Sequence, residues 1–312
     1  MAKAQIEDFC NGKYKDANMY IRKPWENFTF FDAVNIVLLS ILAVVMLFPF
    51  YNAIVLAFND GRDAMLGGIY FWPRQFTLDN FQQVFSNNDI LGAFTISIAR
   101  TVLGTVVRLF VVSTFAFAVS KQRLMFRRFY LTVLLFAMYF QGGIIANFLL
   151  IRNVGLMNNF LVFILPWAFN VFHALIFIAY FKGLPESLSE SARIDGASNF
   201  KVYTSIILPL SKPVIAAVGL FTAIDQWNSW YDHMLYASGD NLQSLAFMFQ
   251  KMVIAQRYLE TAGSSDFIQG IAVSSSSLQL AAMIVAVAPI MIVYPFLQKY
   301  FVKGIMIGSV KG

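Results

Sequence analysis

Charged residues and cysteine are scarce in this 312-residue chain. Charged residues make up 13% of it and hydrophobic residues 58%, whereas a soluble domain carries about a quarter charged residues. The one cysteine, Cys10, excludes internal disulfides. The two histidines, His173 and His233, stand alone and lack the spacing of metal ligands, so we interpret both as structural and expect no metal site.

Catalytic and nucleotide-binding motifs are also missing from the sequence. The apolar intervals hold no cluster of His, Glu or Ser at catalytic spacing, so we predict that the chain is not an enzyme. No phosphate-binding loop of the form Gly-x-x-x-x-Gly-Lys-Ser/Thr occurs. There is no internal repeat of paired, broken halves, and that absence disfavours a secondary transporter.

Long uncharged intervals are what the sequence does contain. Four of them are free of charge and long enough for a membrane crossing, which needs roughly 20 apolar residues: 33–59, 129–151, 153–181 and 267–298. Two further intervals, 90–120 and 213–231, are apolar apart from Arg100 and Arg108 in the first and Asp225 in the second. The sequence therefore predicts an all-α, polytopic membrane protein with six transmembrane helices.

The distribution of basic residues predicts the topology. The segments on one side of the six spans hold 16 Lys and Arg, and those on the other side hold five. The positive-inside rule places the richer side, with both termini, in the cytoplasm.

The net charge of +6 follows from this topology, so we exclude a nucleic-acid partner. The predicted organisation is a cytoplasmic arm (1–30) that is not a cleaved signal peptide, a permease domain (31–302) with an inner loop (182–212) and an outer loop (232–270), and a cytoplasmic tail (303–312).

The two arginines of interval 90–120 have different expected surroundings. A helix of this length exceeds the membrane thickness, so we expect Arg100, near the outer end, to project into water or to snorkel. Arg108 lies deeper, and pairing with Asp225 or snorkelling is favoured over contact with an acidic sugar.

The inner loop 182–212 has the pattern of a helical hairpin. Ser187 and Glu190 stand at capping-box spacing, Gly196 is free to adopt the left-handed conformation that ends a helix, and Ser198 can cap a second short helix. The apolar residues predicted to share one face are Leu188, Ala192 and Ile194. Such a hairpin could transmit force from a partner protein, or it could lie on lipid headgroups.

The spacing within this loop resembles the signature loop of type I ATP-binding-cassette importer permeases. The pattern is Glu, a small residue, Ala, three residues, Gly, nine residues, Ile, any residue, Leu-Pro, with Ser191 where alanine is usual. The resemblance implies that the loop docks in a cleft of an ATPase subunit. The coupling residues that it indicates are Glu190, Ser191, Ala192, Asp195, Gly196, Ala197, Leu208 and Pro209.

The resemblance extends from about residue 30 to the C-terminus. Within the family, the chain is similar to the carbohydrate, maltose-type branch, and most of all to permeases for oligosaccharides and polysaccharide fragments. The similarity to this branch rests on the segments 192–198 and 298–312. It implies a multi-pass protein of the bacterial cytoplasmic membrane that works with a homologous second permease, two ATPase subunits and an extracellular solute-binding protein. ATP and magnesium would bind to the ATPase subunits, and this chain would bind no cofactor. The alternatives are a non-sugar solute of the same superfamily and, less favoured, a secondary transporter.

A sugar path needs aromatic platforms beside hydrogen-bonding groups, and the fifth span offers them. The predicted path residues are Asp225, Gln226, Trp227, Asn228, Trp230 and Tyr231, with Tyr139, Gln141 and Asn147 of the third span as weaker candidates. Trp227 and Asn228 are the leading contacts. The alternative is an aromatic belt at the headgroups, with the carboxylate paired to an arginine of a neighbouring helix.

Two further patterns concern the third span and the outer loop. The Gly142-Gly143 pair predicts close helix packing or a bend. In the loop 232–270, apolar residues at helical spacing predict a helix that contacts the binding protein: Leu245, Phe249, Met252 and Val253.

Overall fold

The structure is a computed structural model that describes residues 29–261, apart from 65, 87 and 141, together with residues 277–292 and 295. The described residues are mainly helical and contain no β-strand, only an isolated bridge between Asn59 and Phe76. The all-α prediction is confirmed.

The helices follow one another in this order: α1 Phe30–Ala57, α2 Gly61–Ala64, α3 Asp79–Ser86, α4 Asn88–Ser120, α5 Arg127–Tyr139, α6 Gly143–Asn153, a 3-10 turn Phe160–Phe163, α7 Val171–Lys182, α8 Glu186–Ile194, α9 Asn199–Val202, a π-helical segment Tyr203–Ile207, α10 Leu208–Leu210, α11 Lys212–Asn228, α12 Tyr231–Tyr236, a 3-10 turn Asp240–Leu242, α13 Leu245–Thr261 and α14 Ser277–Ile292.

The chain divides into two compact units, residues 1–53 and residues 54–312. The described part of the first unit is the long apolar helix α1, whose residues in this unit are all exposed or half-buried. A helix that is apolar on all sides is typical of a membrane span.

The second unit is built around α4, which packs against α7 and α11. With 33 residues, α4 is about 50 Å long at 1.5 Å per residue. One apolar cluster surrounds its C-terminal half and includes Val112, Phe177 and Val218. A second cluster surrounds its N-terminal end and includes Ile90 and Trp227.

Membrane-spanning helices are present, but several predicted spans are bent. By length and composition α1 and α4 can each cross alone, and up to five spans result if each bent helix pair is counted as one. The interval 129–151 is divided into α5 and α6, which meet at 112° where Gly143 has a φ of +74°, so the predicted bend at the glycine pair is confirmed. The number six stays a prediction.

The interval 153–181 differs from the prediction of a continuous span. It contains a 3-10 turn followed by α7, which begins only at Val171. Asn170 ends the irregular segment, because its side chain accepts a hydrogen bond from the backbone N–H of His173 and caps α7. The irregular backbone before α7 is positioned beside α4 and α12, where it contributes to the site described below.

Candidate functional site

The turn between α8 and α9 has the geometry that the sequence predicts. Gly196 has a φ of +79°. Its N–H donates to the Arg193 carbonyl at 3.0 Å, and the Ala197 N–H donates to the Ala192 carbonyl at 2.9 Å. These two bonds are those of a Schellman motif, which ends a helix with glycine in the left-handed conformation. Asp195 occupies the C-cap position of α8.

The start of α8 differs from the prediction. The helix begins at Glu186, and its N-cap is Pro185 without a side-chain capping bond. Ser187 therefore lies inside the first turn, where its carbonyl accepts a hydrogen bond from the Ser191 hydroxyl at 3.0 Å. The capping box between Ser187 and Glu190 was a wrong prediction, because the chain enters the helix two residues earlier, with Pro185 as the N-cap.

The two faces of α8 also differ from the prediction. Ser189 is buried and accepts a hydrogen bond from Lys121 Nζ at 3.1 Å, and Ala192 packs against the apolar cluster of α4. Leu188 and Ile194 do not join Ala192 on that face, since both are exposed, Ile194 to 87%. Glu190 and Ser191 are exposed as well, so the outward face of α8 is free to meet a partner.

The second helix of the hairpin is anchored to α4. Ser198 caps α9 by accepting a hydrogen bond from the Lys201 N–H at 3.3 Å, as predicted. The Tyr203 hydroxyl, in the π-helical segment, lies 2.7 Å from the Ser113 hydroxyl of α4. In the segment that follows, Leu208 is half-buried and Pro209 is exposed.

The hairpin is inserted between two helices that both pack on α4. It joins α7 with a bend of 74° and α11 with a bend of 81°. The second bend lies at Ser211, which is fully buried and whose hydroxyl donates to the Ile207 carbonyl at 2.7 Å. The hairpin is thus continuous with α11, which carries Asp225 near its far end.

A buried ion pair fixes the other end of α11. Arg100 of α4 donates to both carboxylate oxygens of Asp232, to Gln226 Oε1 and to the Ser229 carbonyl. Its guanidinium also lies 4.6 Å from the centre of the Phe163 ring. The prediction that Arg100 projects into water or snorkels was wrong: the side chain is fully buried, because Asp232 folds back towards α4 after the helix ends.

A second ion pair lies beside the first. Arg108 Nη1 lies 3.3 Å from Asp225 Oδ2, and Arg108 Nε donates to the Trp167 carbonyl at 2.7 Å. The predicted pairing of these two residues is confirmed. The Arg108 side chain is 5% exposed, whereas the Asp225 side chain is 60% exposed, so the carboxylate remains accessible while the arginine that orients it is held in place.

A pocket of about 200 Å³ connects the two ion pairs. It is lined by Arg100, Arg108, Trp167, Asn170, Asp225, Gln226, Ser229 and Asp232. The lining thus includes a partly exposed tryptophan, an amide and an ion pair that is open on one side, and residues of these types hold sugar rings and hydroxyls. We name this site the paired-arginine pocket.

The other predicted residues of the fifth span separate into two groups. Trp227 is buried, its indole N–H donates to the Ala286 carbonyl at 3.1 Å, and its ring packs edge-on against Phe94. The indole N–H and the ring of Trp227, which would bind a sugar, are thus already in contact with other groups of the protein. Asn228 and Tyr231 are exposed, and Trp230 is half-buried beside Tyr231.

The candidates of the third span lie away from this pocket. Tyr139 ends α5 with its side chain exposed, and Asn147 is exposed on α6. Gln141 lies outside the described residues. Neither described residue lines the paired-arginine pocket.

The histidines are enclosed by protein. His173 lies 3.5 Å from the Thr222 hydroxyl through Nδ1. His233 Nδ1 lies 3.0 Å from the Leu242 carbonyl, and burial lowers the His233 pKa although that bond and Asp232 oppose the effect. Among the residues that the structure describes, no three His, Cys, Asp or Glu side chains are grouped as metal ligands.

The predicted outer helix forms, but one side of it belongs to the core. α13 begins at Leu245, which is buried and whose N–H donates to the Ser97 hydroxyl of α4 at 2.8 Å. Phe249 packs against the cluster at the N-terminal end of α4. Val253 and Ile254, further along the helix, are each 42% exposed and present an apolar surface.

Sequence reasoning missed Trp167, Asn170 and Asp232 as parts of the site. The first two lie in the irregular segment before α7, which was predicted to be a regular span. A usable signal existed for Asp232, since an arginine inside an apolar interval requires a partner and Asp232 follows the fifth span directly.

Comparison with known proteins gives consistent results. Residues 115–307 match the family described as the binding-protein-dependent transport system inner membrane component. The chain is similar to Protein LplC of Bacillus subtilis, with 37% identity over 90% of this chain and 95% of the relative. It is similar to the polygalacturonan/rhamnogalacturonan transport system permease protein YtcP of Bacillus subtilis, with 32% identity over 90% of this chain and 98% of the relative.

A solved structure shares the fold. It belongs to a bacterial ABC transporter involved in the import of the acidic polysaccharide alginate. The TM-score is 0.80 at 26% sequence identity, and the similarity covers 88% of this chain and 99% of that one.

Proposed function

Because this chain belongs to the family of binding-protein-dependent transport system inner membrane components, we propose that it is the permease subunit of an ATP-driven importer of oligosaccharides or polysaccharide fragments. The family is a transporter family, so the chain is a membrane protein and not an enzyme. It forms the translocation path by alternating access together with a second, homologous permease.

The α8–α9 hairpin is the observation that carries the ATP-driven mechanism. Its inner face is fixed by the bond between Ser189 and Lys121, directly after α4, and by the packing of Ala192 on the apolar cluster around α4. Its outer face exposes Glu190, Ser191 and Ile194. A rigid element with one fixed and one free face can transmit the movement of an ATPase subunit to α11, and through α11 to Asp225.

The proposal requires several partners. Two ATPase subunits dock on the two permeases, one of them on the α8–α9 hairpin, and bind ATP and magnesium, so that this chain binds no cofactor. A solute-binding protein delivers the carbohydrate on the outer side, where the exposed surface of α13 at Val253 and Ile254 offers a contact. Both termini lie in the cytoplasm, in accordance with the distribution of basic residues.

Carbohydrate is the favoured substrate for two reasons. The relatives named above include a transport system for polygalacturonan and rhamnogalacturonan and an importer of alginate. In addition, Asp225 is exposed beside Trp167 and Asn170 in the paired-arginine pocket, an arrangement suited to hydroxyl groups and a sugar face. We place the substrate contacts at these residues and at Asn228, Trp230 and Tyr231 near the end of α11.

Uptake by the reconstituted system tests the proposal. Both permeases and the ATPase are placed in proteoliposomes, and labelled oligosaccharides, amino acids or short peptides are supplied with the binding protein. We expect uptake of oligosaccharide that requires both ATP and the binding protein and is insensitive to a protonophore. Uptake that is confined to amino acids or peptides would establish the non-sugar alternative, and uptake driven by a proton gradient without ATP would establish a secondary transporter.

A further inference from the structure

A second pocket lies on the membrane side of the α8–α9 hairpin. Its volume is about 210 Å³. It is enclosed by the C-terminal end of α4, the start of α5, the end of α7 and the inner face of α8. Its lining residues are Phe117, Ser120, Lys121, Gln122, Arg127, Phe181, Lys182, Leu184, Pro185, Glu186, Ser189 and Ile207.

Three cations line this pocket against one carboxylate. Lys121, Arg127 and Lys182 are the cations, and Glu186 is the carboxylate. Within the described part of the chain, none of the three cations forms an ion pair. Arg127 donates through Nε to the Val119 carbonyl at 3.0 Å. The lining therefore has an excess of positive charge that the described residues do not neutralise.

Lys121 is the most constrained of these cations. Its Nζ donates to the Ser189 hydroxyl at 3.1 Å and lies 4.7 Å from the centre of the Phe117 ring. Burial lowers the Lys121 pKa, Arg193 lowers it further, and Glu186 opposes both. An ammonium group that loses hydration and gains no carboxylate partner is stabilised when an anion binds beside it.

We propose that this pocket binds a phosphate group, and thereby couples the position of the α8–α9 hairpin to an anionic ligand at the inner surface of the membrane. The location rests on the proposed function, which places the hairpin on the cytoplasmic side. Basic pockets between spans on that side are typical sites for phosphate headgroups of anionic lipids. Phosphate from solution presents the same chemistry, and the experiment separates the two sources.

The test uses the purified complex of both permeases and the ATPase in nanodiscs, with phosphatidylglycerol as the lipid probe, phosphatidylcholine as the neutral reference and inorganic phosphate as the soluble probe. Native mass spectrometry counts the retained phosphatidylglycerol. The variant Lys121→Gln/Arg127→Gln should lower the affinity for phosphatidylglycerol by about 30-fold, since each basic residue contributes about 1 kcal/mol to the binding of anionic lipid.

The chain supplies a matched control in the same loop. Arg123 and Arg128 are exposed and do not line the pocket. The variant Arg123→Gln/Arg128→Gln removes the same charge and should leave the affinity within about twofold of wild type, because a distant surface charge contributes little. Equal losses in the two double variants would overturn the proposal and leave only a general attraction of the basic surface for anions.

Two single variants keep the test valid if the double variant fails to assemble. Lys182 is exposed, and Lys182→Gln should weaken binding about fivefold. Glu186→Gln removes the one carboxylate of the lining and should strengthen binding about threefold. An unchanged or weaker affinity of Glu186→Gln would contradict the proposal.

The competition arm identifies the source of the phosphate. If millimolar inorganic phosphate displaces phosphatidylglycerol from wild type, the site accepts phosphate from solution; if it does not, the ligand is a lipid headgroup. No preference of wild type for either phosphate probe overturns the proposal. Failure of the proposed function is distinguishable, because sugar-stimulated ATP hydrolysis would then be absent from wild type at every lipid composition.

Discussion

Arg100 and Asp232 form an ion pair that is closed to solvent, with exposed side-chain fractions of 0% and 1%. The pair joins the middle of α4 to the segment that follows α11, and Gln226 completes the coordination of the guanidinium. The end of α11 is thereby held in a fixed position. Arg108, about two turns further along α4, is itself nearly buried, whereas its partner Asp225 on α11 remains accessible from the pocket.

The first prediction concerns this buried pair. Asp232→Ala leaves a guanidinium buried without its partner and should destabilise the protein by about 3–5 kcal/mol. Arg100→Met/Asp232→Leu removes both charges and should be less destabilised than the sum of its single variants. Thermal unfolding of the purified complex in detergent measures the difference. A double variant whose loss equals that sum would show that the two side chains are not coupled.

The second prediction concerns the close approach of α4 and α11. A Cβ atom at Gly104 would lie 2.8 Å from Cδ and Nε2 of Gln226, which is tied to Arg100 and to the Phe163 carbonyl. Gly104→Ala should therefore displace Gln226 and cost about 1–3 kcal/mol. Gly219→Ala is the control, since its Cβ would meet Leu109 Cδ1 at 3.4 Å. Equal melting temperatures of the two variants would contradict this account of the packing.

The third prediction separates substrate binding from packing on α11. Asp225→Asn should lower sugar uptake about tenfold while assembly with the ATPase is retained, because the loss of one charged hydrogen bond to a sugar hydroxyl costs roughly 1.5 kcal/mol. Asp79→Asn, which alters an exposed carboxylate at the start of α3, is the control. Normal uptake by Asp225→Asn would remove the paired-arginine pocket from the substrate path.

Trp227 should behave differently from Asp225 in the same assay. Trp227→Ala removes a buried ring and should lower the stability by about 3–5 kcal/mol, so that both assembly and uptake decrease. Asn228→Ala affects an exposed side chain and should lower uptake alone. If Trp227→Ala assembles normally and only uptake falls, Trp227 is a substrate contact, as the sequence first indicated.

The hairpin could be predicted because its signals are local. Gly196 and Ser198 act on backbone groups within five residues, so the sequence pattern contains both the turn and the cap. The start of α8 was misplaced by two residues, since the N-cap is Pro185 and not Ser187. Helix ends are set by several competing local groups, and spacing alone does not rank them.

The paired-arginine pocket could not be predicted, because it depends on contacts that no sequence periodicity reveals. Arg100 and Asp232 are 132 positions apart, and the burial of both follows from the way the chain turns after Ser229. Trp167 reaches Arg108 through its carbonyl, a group that every residue possesses. Composition identified a membrane protein and the loop identified its family, but the arrangement of the two ion pairs required the tertiary structure.

The fourth prediction concerns the outer helix α13. Deletion of this helix would remove Leu245 and Phe249 from the core, so a surface substitution is the sharper test. Ile254→Glu should abolish the stimulation of ATP hydrolysis by the loaded binding protein, because a charge would be buried in an apolar contact. Basal hydrolysis and assembly should be unchanged. Full stimulation of Ile254→Glu would place the binding-protein contact elsewhere.

The outward face of α8 carries the central claim, that this chain is driven by an ATPase docked on the hairpin. Glu190→Arg reverses an exposed charge on the face that is proposed to dock on the ATPase. The substitution leaves the contacts of Ser189 with Lys121 and of Ala192 with the apolar cluster unchanged. The protein should still insert and bind its partner permease, while the ATPase dissociates or hydrolyses ATP without transport.

The most direct test compares two substitutions at Gly196. Its φ of +79° costs a residue with a side chain roughly 1–2 kcal/mol, and a β-branched residue tolerates it least, whereas asparagine adopts it more readily. We measure copurification of the ATPase and ATP-dependent sugar uptake in membrane vesicles for Gly196→Val and Gly196→Asn. The account predicts that Gly196→Val loses uptake, with the ATPase lost or uncoupled, and that Gly196→Asn retains most of both. Normal copurification and uptake for Gly196→Val would contradict it.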